Sequence, residues 1–323
     1  MLEQEIKVSV ICNVYNHGKY IRDALEGFVT QQTSFPFEVL VHDDASTDNS
    51  ADIIREYEAR YPDLIKPIYQ TENQYSKGGK ISRRFQAPRT RGKYVALCEG
   101  DDYWTDPLKL QKQYDFMETH PEYTLCTCST VWLDMQTGRQ MSLCRTDRDR
   151  DVSIEEMILE EKGRVFQYAT FFIRAEHWVT LPDWVASFPV GDYPQAINAA
   201  LHGKVRMLAD TMAVYRNHAD GSWTSRVDKD KTYKIRMYTR MVEGLEALDK
   251  ATDGRYHDVI QRRIRLQKYY LARVKGDLKG MCSGELGELF RSRSLRSRVG
   301  DLLQCKLPGV HRVLIRGWKK IKK

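Results

Sequence analysis

The sequence predicts an α/β protein in which a mostly parallel sheet is flanked by helices and followed by a helical C-terminal region. Short apolar runs alternate with helix-periodic segments in the first part of the chain, and strand patterns stop near residue 228. Of the 323 residues, 41% are hydrophobic and 29% are charged, which is typical of a folded protein with a sizeable core. We expect one domain over 1–225 and a helical region over 226–323.

Four apolar runs in the first hundred residues are strand candidates: KVSVIC (7–12), FEVLVH (37–42), IKPIYQ (65–70) and YVALCE (94–99). Pro67 indicates that the third run lies at the edge of the sheet, because proline has no backbone N–H to donate to a neighbouring strand. Apolar residues at helical spacing follow the first two runs. Asp106 and Pro107 have the form of an N-cap and first turn for the next helix.

The second part of the chain has a looser pattern. LCTCSTVWL (125–133) and ATFFIR (169–174) are strand candidates, and Ser153 with Glu156 has the form of a capping box. A helix over 192–202 is expected to end at Gly203. The segments 233–248 and 256–274 are charged and helical in pattern.

Cellular context is limited by what the sequence lacks. No apolar run approaches the roughly 18–20 residues that cross a bilayer, and the first residues do not resemble a signal peptide, so we expect a cytoplasmic protein. The seven cysteines are scattered, which predicts reduced core residues rather than a disulfide framework or a zinc site.

Positive charge is concentrated in the C-terminal tail. From Arg291 to Lys323 there are 11 Lys or Arg and one acidic residue, whereas the first 290 residues carry 40 basic and 43 acidic ones. The last 14 residues, VHRVLIRGWKKIKK, mix apolar and basic side chains in a way that suits an anionic membrane surface, and suits a solvated helix or a protein partner equally well. Nucleic acid is a poorer partner, because no nucleic-acid-binding module accompanies the basic run.

Polar clusters follow three of the predicted strands, at 13–16, 43–44 and 99–102. In an open parallel sheet these ends converge on one crevice, where ligands bind. Carboxylates there serve as hard-cation ligands, general bases or helix caps. Because Glu99, Asp101 and Asp102 are too many for one cap, the third cluster favours a metal site for a nucleotide substrate.

These blocks together resemble a known enzyme family. VSVICNVYNHGKYIRDALEGFVTQ, FEVLVHDDASTDNSADII and GKYVALCEGDDYWTDPLKLQKQ, with GDYPQAINAALHGKVRMLADTMAVYRNHADGSW further on, resemble a family 2 inverting glycosyltransferase with the GT-A (Rossmann-like) fold over about residues 6–225. The resemblance implies transfer of a hexose-like sugar from a nucleotide sugar, most simply a UDP-sugar, to a hydroxyl of a glycan or lipid-linked acceptor. It also implies Mn²⁺ or Mg²⁺ as cofactor.

The resemblance assigns the donor site to specific residues. Tyr15 would stack on the uracil, and Asp44 would accept from its N3–H; otherwise Tyr15 is a loop residue and Asp44 a helix cap. Glu99, Gly100 and Asp101 occupy the D-x-D position, with Asp101 as the metal ligand. Glu99 stands at the first position of this motif, where aspartate is usual. Asn13 stands where proline is frequent, a change expected to alter the turn rather than the chemistry.

The acceptor side is assigned in the same way. Asp192 would be the catalytic base, with a plain N-cap as the alternative. His218 would lie near the metal, and Asp102 would lie near the substrate. Trp223 would either cover the sugar or pack against other residues of the protein. One of three arginines is expected to reach a phosphate, with a solvated helix face as an equal alternative for all three, and the sequence does not select among Arg83, Arg84 and Arg89.

The resemblance thus implies a metal-dependent inverting glycosyltransferase that builds surface polysaccharide, such as capsule. Peripheral association with the inner face of the membrane is one expectation for the tail, and a solvated helix or a protein partner is an equal alternative. A nucleotidyltransferase would carry a glycine-rich phosphate loop, which VICNVYNHGKY does not supply. A non-catalytic nucleotide- or glycan-binding scaffold remains the alternative from a different class.

Overall fold

The computed structural model describes residues 5–160, 164–220 and 230–306. The chain divides into two compact units, the first formed by 1–181 and 192–225 and the second by 182–191 and 226–323. The first unit contains the sheet.

Four parallel strands form one half of the sheet: β1 (Val8–Val14), β2 (Phe37–Asp43), β3 (Ile65–Tyr69) and β4 (Tyr94–Leu97). They are ordered β3-β2-β1-β4, and β1 is buried on both faces because it is central. Pro67 lies on β3 at the edge of the sheet, as the sequence predicts.

Helices connect these strands and cover the sheet: α1 (Ile21–Val29), α2 (Ser50–Arg60) and α3 (Lys109–Thr119). α1 buries Ile21, Leu25 and Phe28, the residues that recur at helical spacing. The predicted start of α3 at Asp106 and Pro107 is wrong by two residues. The Asp106 side chain accepts instead from Leu108 N (2.8 Å) and Lys112 Nζ (2.8 Å), before the helix begins.

The other half of the sheet is mixed. Its strands are β5 (Tyr103–Trp104), β6 (Tyr123–Asp134), β7 (Gln140–Leu143), β8 (Arg150–Val152), β9 (Phe172–Arg174) and β10 (Lys204–Asn217). Among the described residues the sheet runs β3-β2-β1-β4-β9-β6-β10-β5, with β7 beside β6 and β8 beside β10. β9 is antiparallel to both of its neighbours, whereas β10 is parallel to β6.

The fold class predicted from the sequence is therefore confirmed, with antiparallel β9 joining two parallel groups. Three more helices belong to this unit: α4 (Ile154–Leu159), α5 (Glu176–Val179) and α6 (Asp192–His202). Ser153 caps α4 by accepting from Glu156 N at 3.1 Å, and α6 has its predicted bounds.

The second unit is helical over the described residues. It contains α7 (Lys231–Ala251), α8 (His257–Lys275), α9 (Leu278–Cys282), α10 (Gly284–Ser292) and α11 (Leu295–Lys306). Arg240 on α7 donates to Ala186 O at 2.8 Å, which ties 182–191 to this unit. Buried Asp301 accepts from Tyr269 Oη (2.6 Å) and Arg273 Nη1 (2.7 Å) and so fastens α11 to α8.

Five of the seven cysteines are buried core residues, as predicted, but Cys282 is exposed and Cys305 is half-buried, so the core prediction is wrong for these two. Over 5–160, 164–220 and 230–306, no helix is long and apolar enough to span a bilayer. The predicted domain boundary at 225, Trp223 and the tail over 310–323 all lie outside the described residues.

Candidate active site

The ends of β1, β2 and β4 meet at one edge of the sheet. These strands are adjacent and parallel, so the loops that follow them emerge side by side. Backbone hydrogen bonds join the loops: Asp44 N donates to Val14 O at 2.9 Å, and Gly100 N donates to Asn13 O at 3.1 Å. The three polar clusters predicted to converge therefore form a single crevice.

Asp44 anchors one side of this crevice. It is 3% exposed, and its carboxylate accepts from the backbone N–H groups of Gln74 (2.7 Å) and Tyr75 (3.0 Å). The alternative role as a helix cap is wrong, because Asp48 Oδ1 accepts from Ser50 N at the start of α2. A carboxylate has about four acceptor positions, so Asp44 retains capacity for one more donor.

Two tyrosines lie beside Asp44: the backbone N–H of Tyr75 donates to its carboxylate, and Tyr15 directly follows Val14, whose carbonyl accepts from Asp44 N. Tyr15 is 42% exposed and Tyr75 is 50% exposed, and they are the only aromatic side chains among the exposed large hydrophobic residues of the described chain. An exposed aromatic face is suited to stacking on a base. The sequence prediction named Tyr15 and missed Tyr75, since that tyrosine lies in a loop without periodicity.

The acidic block at 99–102 is pressed against β1. A Cβ atom on Gly100 would lie 2.9 Å from both Val14 Cγ2 and His17 Nδ1, so glycine allows this close approach. Arg216 on β10 holds the block from the other side: its backbone N–H donates to Asp102 Oδ1 at 2.8 Å, and its guanidinium donates to Asp101 O at 3.1 Å.

The three carboxylates of this block have different surroundings. Asp102 is 2% exposed and accepts from Arg216 N and from Gln167 Nε2 (3.1 Å). Burial, and next the charge of Asp101, raise the pKa of Asp102. Such an enclosed carboxyl favours a structural role over the substrate contact expected from the sequence. Asp101, by contrast, is partly exposed and its carboxylate has no hydrogen-bond or ion-pair partner within 5–160, 164–220 and 230–306.

Glu99 and Asn13, the two departures from the family pattern, touch each other. Asn13 Nδ2 donates to Glu99 Oε1 at 3.3 Å. The expectation that Asn13 alters a turn is wrong, because Asn13 lies within β1 opposite His42 on β2 and directs its amide into the crevice. Burial raises the pKa of Glu99 to about 8; the charges of Asp101 and, more weakly, Asp192 add to the rise, and the Asn13 hydrogen bond opposes it.

The site has one accessible carboxylate for a metal ion. Within the described residues no three His, Cys, Asp or Glu side chains group together as metal ligands. Mg²⁺ and Mn²⁺ nevertheless bind through one or two carboxylates when substrate phosphates and water complete the shell. Asp101 has no partner for its negative charge, and the neighbouring Glu99 resists ionisation. The carboxylate of Asp101 is therefore an uncompensated negative charge. These residues fit a cation delivered together with a nucleotide diphosphate.

His218 lies two residues beyond Arg216, just after β10. Its Nδ1 is 2.7 Å from Asn217 Nδ2 and 3.9 Å from Asp134 Oδ2, and its backbone has φ +61°. These contacts connect His218 to the end of β6. Its role as a metal ligand stays a prediction.

Asp192 begins α6, within electrostatic range of Glu99. Its Oδ1 accepts from Tyr193 N at 2.8 Å, a bond to the adjacent residue rather than to the second or third helical N–H that an N-cap binds. Its charge contributes to the raised pKa of Glu99. The predicted donor carboxylates and the predicted base are thus electrostatic neighbours.

Two residues near Asp192 were missed by the sequence analysis. Desolvation lowers the pKa of Arg164, but the charges of Asp192 and Glu160 outweigh that effect and hold the pKa above its usual value. Tyr168 is close enough to Glu99 and Asp192 to sense both charges. Both residues stand singly in a segment without a motif, so spacing could not have identified them.

The three arginines before the acidic block separate in the structure. Arg89 Nη2 donates to Lys66 O (2.7 Å) and is committed to β3. Arg84 Nη2 reaches Gln74 Oε1 at 3.4 Å, on the loop that holds Asp44. Arg83 is exposed. Arg84 is therefore the best placed of the three to meet a nucleotide.

The sheet, the crevice and its carboxylates define a GT-A glycosyltransferase. The family model described as "Glycosyl transferase family 2" matches residues 9–179, more than half of the chain, and the protein belongs to that family. This range includes the crevice residues on β1, β2 and β4 but not Asp192.

Individual proteins agree with this assignment. An uncharacterized protein of Mycobacterium tuberculosis is 37% identical over 242 residues, which cover 75% of this chain and 67% of that protein. The Escherichia coli UDP-Glc:alpha-D-GlcNAc-diphosphoundecaprenol beta-1,3-glucosyltransferase WfaP is 34% identical over 112 residues, covering 35% and 41%. The structure of Staphylococcus aureus TarS 1–349 in complex with UDP-GlcNAc superposes with a TM-score of 0.57 at 18% identity, covering 93% of this chain and 81% of that one, and supports the fold.

Proposed function

We propose that this protein is a metal-dependent inverting glycosyltransferase that moves a sugar from a UDP-sugar to a hydroxyl of a glycan or lipid-linked acceptor in surface polysaccharide biosynthesis. The observation that carries the proposal is the shared crevice. It holds an accessible carboxylate, Asp101, on the donor side and a second one, Asp192, close enough to influence the ionisation of Glu99 between them.

The nucleotide half of the site would be Asp44 and the aromatic residues beside it. Asp44 is fixed by two backbone N–H groups and keeps acceptor capacity, which matches the single N3–H donor of uracil. Tyr15, with Tyr75 as a second exposed ring, offers a stacking surface. Glu99 and the backbone at Gly100 would line the ribose and phosphate side.

The donor diphosphate would be held with Mn²⁺ or Mg²⁺ at Asp101, with His218 as the candidate second ligand. Such an ion would act as a Lewis acid on the two phosphates. Arg216 fixes the backbone that carries Asp101 and so orients this carboxylate.

The chemical step would depend on Asp192. Its carboxylate takes the proton of the acceptor hydroxyl while that oxygen forms a bond to the anomeric carbon. The bond from the anomeric carbon to the diphosphate oxygen breaks on the opposite face, its electron pair leaves with the nucleoside diphosphate, and the configuration inverts. One base suffices for this step.

The acceptor class is supported by a relative. The name of WfaP describes a diphosphoundecaprenol-linked acceptor, and a lipid-linked acceptor would suit a basic, apolar C-terminal tail that approaches a membrane.

Replacement of Asp192 tests the proposal. Asp192→Asn should reduce turnover at least about 100-fold, the lower end of what a general base contributes, and should leave UDP affinity within about twofold. Release of UDP from a panel of UDP-sugars with lipid-linked and soluble glycan acceptors measures turnover. Asp230→Asn is the matched control, since Asp230 caps α7 in the second unit and should leave turnover unchanged.

The alternatives give other results. A non-catalytic scaffold would bind nucleotide sugar with no turnover in the wild type, and a nucleotidyltransferase would release pyrophosphate from a nucleoside triphosphate and a sugar phosphate. Full turnover by Asp192→Asn would remove Asp192 as the base.

A further inference from the structure

Tyr168 is a crevice residue to which the proposed mechanism gives no task. It begins a short 3-10 helix over Tyr168–Thr170 and is partly exposed. Its hydroxyl is hydrogen-bonded to Ser82 and lies within electrostatic range of Glu99 and of Asp192. Tyr168 therefore adjoins both the donor carboxylate and the proposed base.

The backbone that carries Tyr168 is fixed by side chains from other elements. Trp104 Nε1 donates to Ala169 O at 2.8 Å, and Gln113 Nε2 donates to Thr170 O at 3.0 Å. Gln167 caps the 3-10 helix and also donates to Asp102 at 3.1 Å. Since Trp104 and Gln113 are buried, the ring of Tyr168 projects from a rigid platform joined to the acidic block.

A chain of hydrogen bonds connects Tyr168 to the donor side. Asn13 Nδ2 donates to Ser82 Oγ at 3.0 Å and reaches Glu99 Oε1 at 3.3 Å. Ser82 Oγ, which accepts from Asn13, also bonds the phenol oxygen of Tyr168. A phenol hydroxyl can both donate and accept, so with Ser82 as its hydrogen-bond partner in the described residues it keeps capacity for a hydrogen bond to a ligand. Burial, and next the charge of Glu99, raise the pKa of Tyr168, so the phenol stays protonated and remains a donor.

The position of the transferred sugar follows from the chemistry. In an in-line displacement the sugar lies between the leaving diphosphate and the acceptor oxygen, hence between Asp101 with Glu99 on one side and Asp192 on the other. A residue that borders both sides faces the sugar. Asn13 Oδ1, buried and without a partner in the described residues, is a further polar atom in this region.

We propose that Tyr168 lines the subsite of the transferred sugar and donates a hydrogen bond from its hydroxyl to an oxygen of that hexopyranosyl group, with Ser82 and Asn13 holding it in position. This inference rests on the proposed function of the site. It adds a sugar-contacting residue outside the strand-end clusters that bind the nucleotide.

Comparison of UDP with UDP-sugars tests the inference. Isothermal titration calorimetry in the presence of Mn²⁺ would measure the affinity of wild type and of Tyr168→Phe for four ligands: UDP, UDP-glucose, UDP-galactose and UDP-N-acetylglucosamine. Tyr168→Phe should bind the UDP-sugar that wild type prefers about three- to tenfold more weakly, the effect of one neutral hydrogen bond, and should bind UDP equally well. Ser82→Ala should weaken UDP-sugar binding in the same direction by a smaller factor.

Tyr94→Phe is the matched control. Tyr94 is buried, and Tyr94→Phe likewise removes a hydroxyl contact, to Glu118 at 2.6 Å, but that contact lies outside the crevice. Tyr94→Phe should bind UDP and the UDP-sugar as wild type does. Unchanged near-ultraviolet circular dichroism of Tyr168→Phe would establish that the ring platform is intact.

Two results would overturn the inference. If Tyr168→Phe binds the UDP-sugar as well as wild type does, or weakens UDP and UDP-sugar equally, the phenol does not contact the sugar, and the proposed function is untouched. If wild type binds no nucleotide or nucleotide sugar at all, the proposed function fails first and this inference with it.

Discussion

Replacement of Glu99 by glutamine should change how the free energy of unfolding depends on pH. Burial raises the pKa of this carboxyl from 4.5 to about 8, with the charge of Asp101 as the next cause. The folded protein therefore holds a proton on Glu99 that the unfolded chain releases, so wild-type stability falls as pH rises from about 4.5 to 8. Glutamine imitates the protonated side chain and should abolish this decline.

The magnitude follows from the shift. A rise from 4.5 to about 8 corresponds to an upper limit of about 5 kcal/mol, at about 1.4 kcal/mol for each pKa unit. Glu99 is partly exposed, so solvent screening reduces this value, and we expect about 2–4 kcal/mol. Glu99→Gln should match wild type below about pH 4.5 and exceed its stability by that amount above about pH 8.

Urea denaturation at several pH values, followed by tryptophan fluorescence with EDTA present, measures the difference between variant and wild type. Glu118→Gln is a control of opposite sign. Burial raises the pKa of Glu118, but hydrogen bonds from Lys93 and Tyr94 outweigh burial and lower it, so this variant should be less stable than wild type at neutral pH. Parallel pH profiles for wild type and Glu99→Gln would refute the reasoning.

Substitutions at three further positions have defined outcomes. Tyr15→Ala should weaken UDP binding by about 1–3 kcal/mol, whereas Tyr15→Phe should retain it, as titration calorimetry would record; equal losses would exclude stacking. Gln113→Leu should destabilise the fold by about 3 kcal/mol in urea denaturation, because it leaves the buried ammonium of Lys109 without its 2.7 Å partner; a neutral result would mean that the charge is satisfied otherwise. Gly92→Ala should cost about 2–3 kcal/mol, since its Cβ would lie 2.5 Å from Ser9 N, and a wild-type melting temperature would contradict this.

The proposed donor half of the crevice could be predicted because it depends on local patterns. Buried parallel strands are continuous apolar runs, so the ends of β1, β2 and β4 were visible in the sequence, and residues at those ends must share one edge. Asp44 and Asp101 are found there for that reason. The edge position of β3 followed from a single proline.

The rest could not be predicted, because it depends on long-range pairing. An apolar run such as the one in β9 does not specify its neighbours, and β9 is antiparallel between β4 and β6. That insertion brings Tyr168 to the crevice. The contact between Asn13 and Glu99 joins residues 86 positions apart, and the two departures from the family pattern were interpretable only when seen together.

The most direct test of the account is metal-dependent binding of a UDP-sugar at Asp101. A thermal-shift panel of UDP-, GDP-, CMP- and dTDP-sugars, each with and without Mn²⁺, would be run on wild type and on Asp101→Ala. A ligand at 100 times its dissociation constant adds about 2.7 kcal/mol to stability, which shifts the melting temperature measurably. The account predicts stabilisation by a UDP-sugar only with Mn²⁺ and only in wild type. Stabilisation that persists in Asp101→Ala, or none by any nucleotide sugar with or without metal, would contradict it.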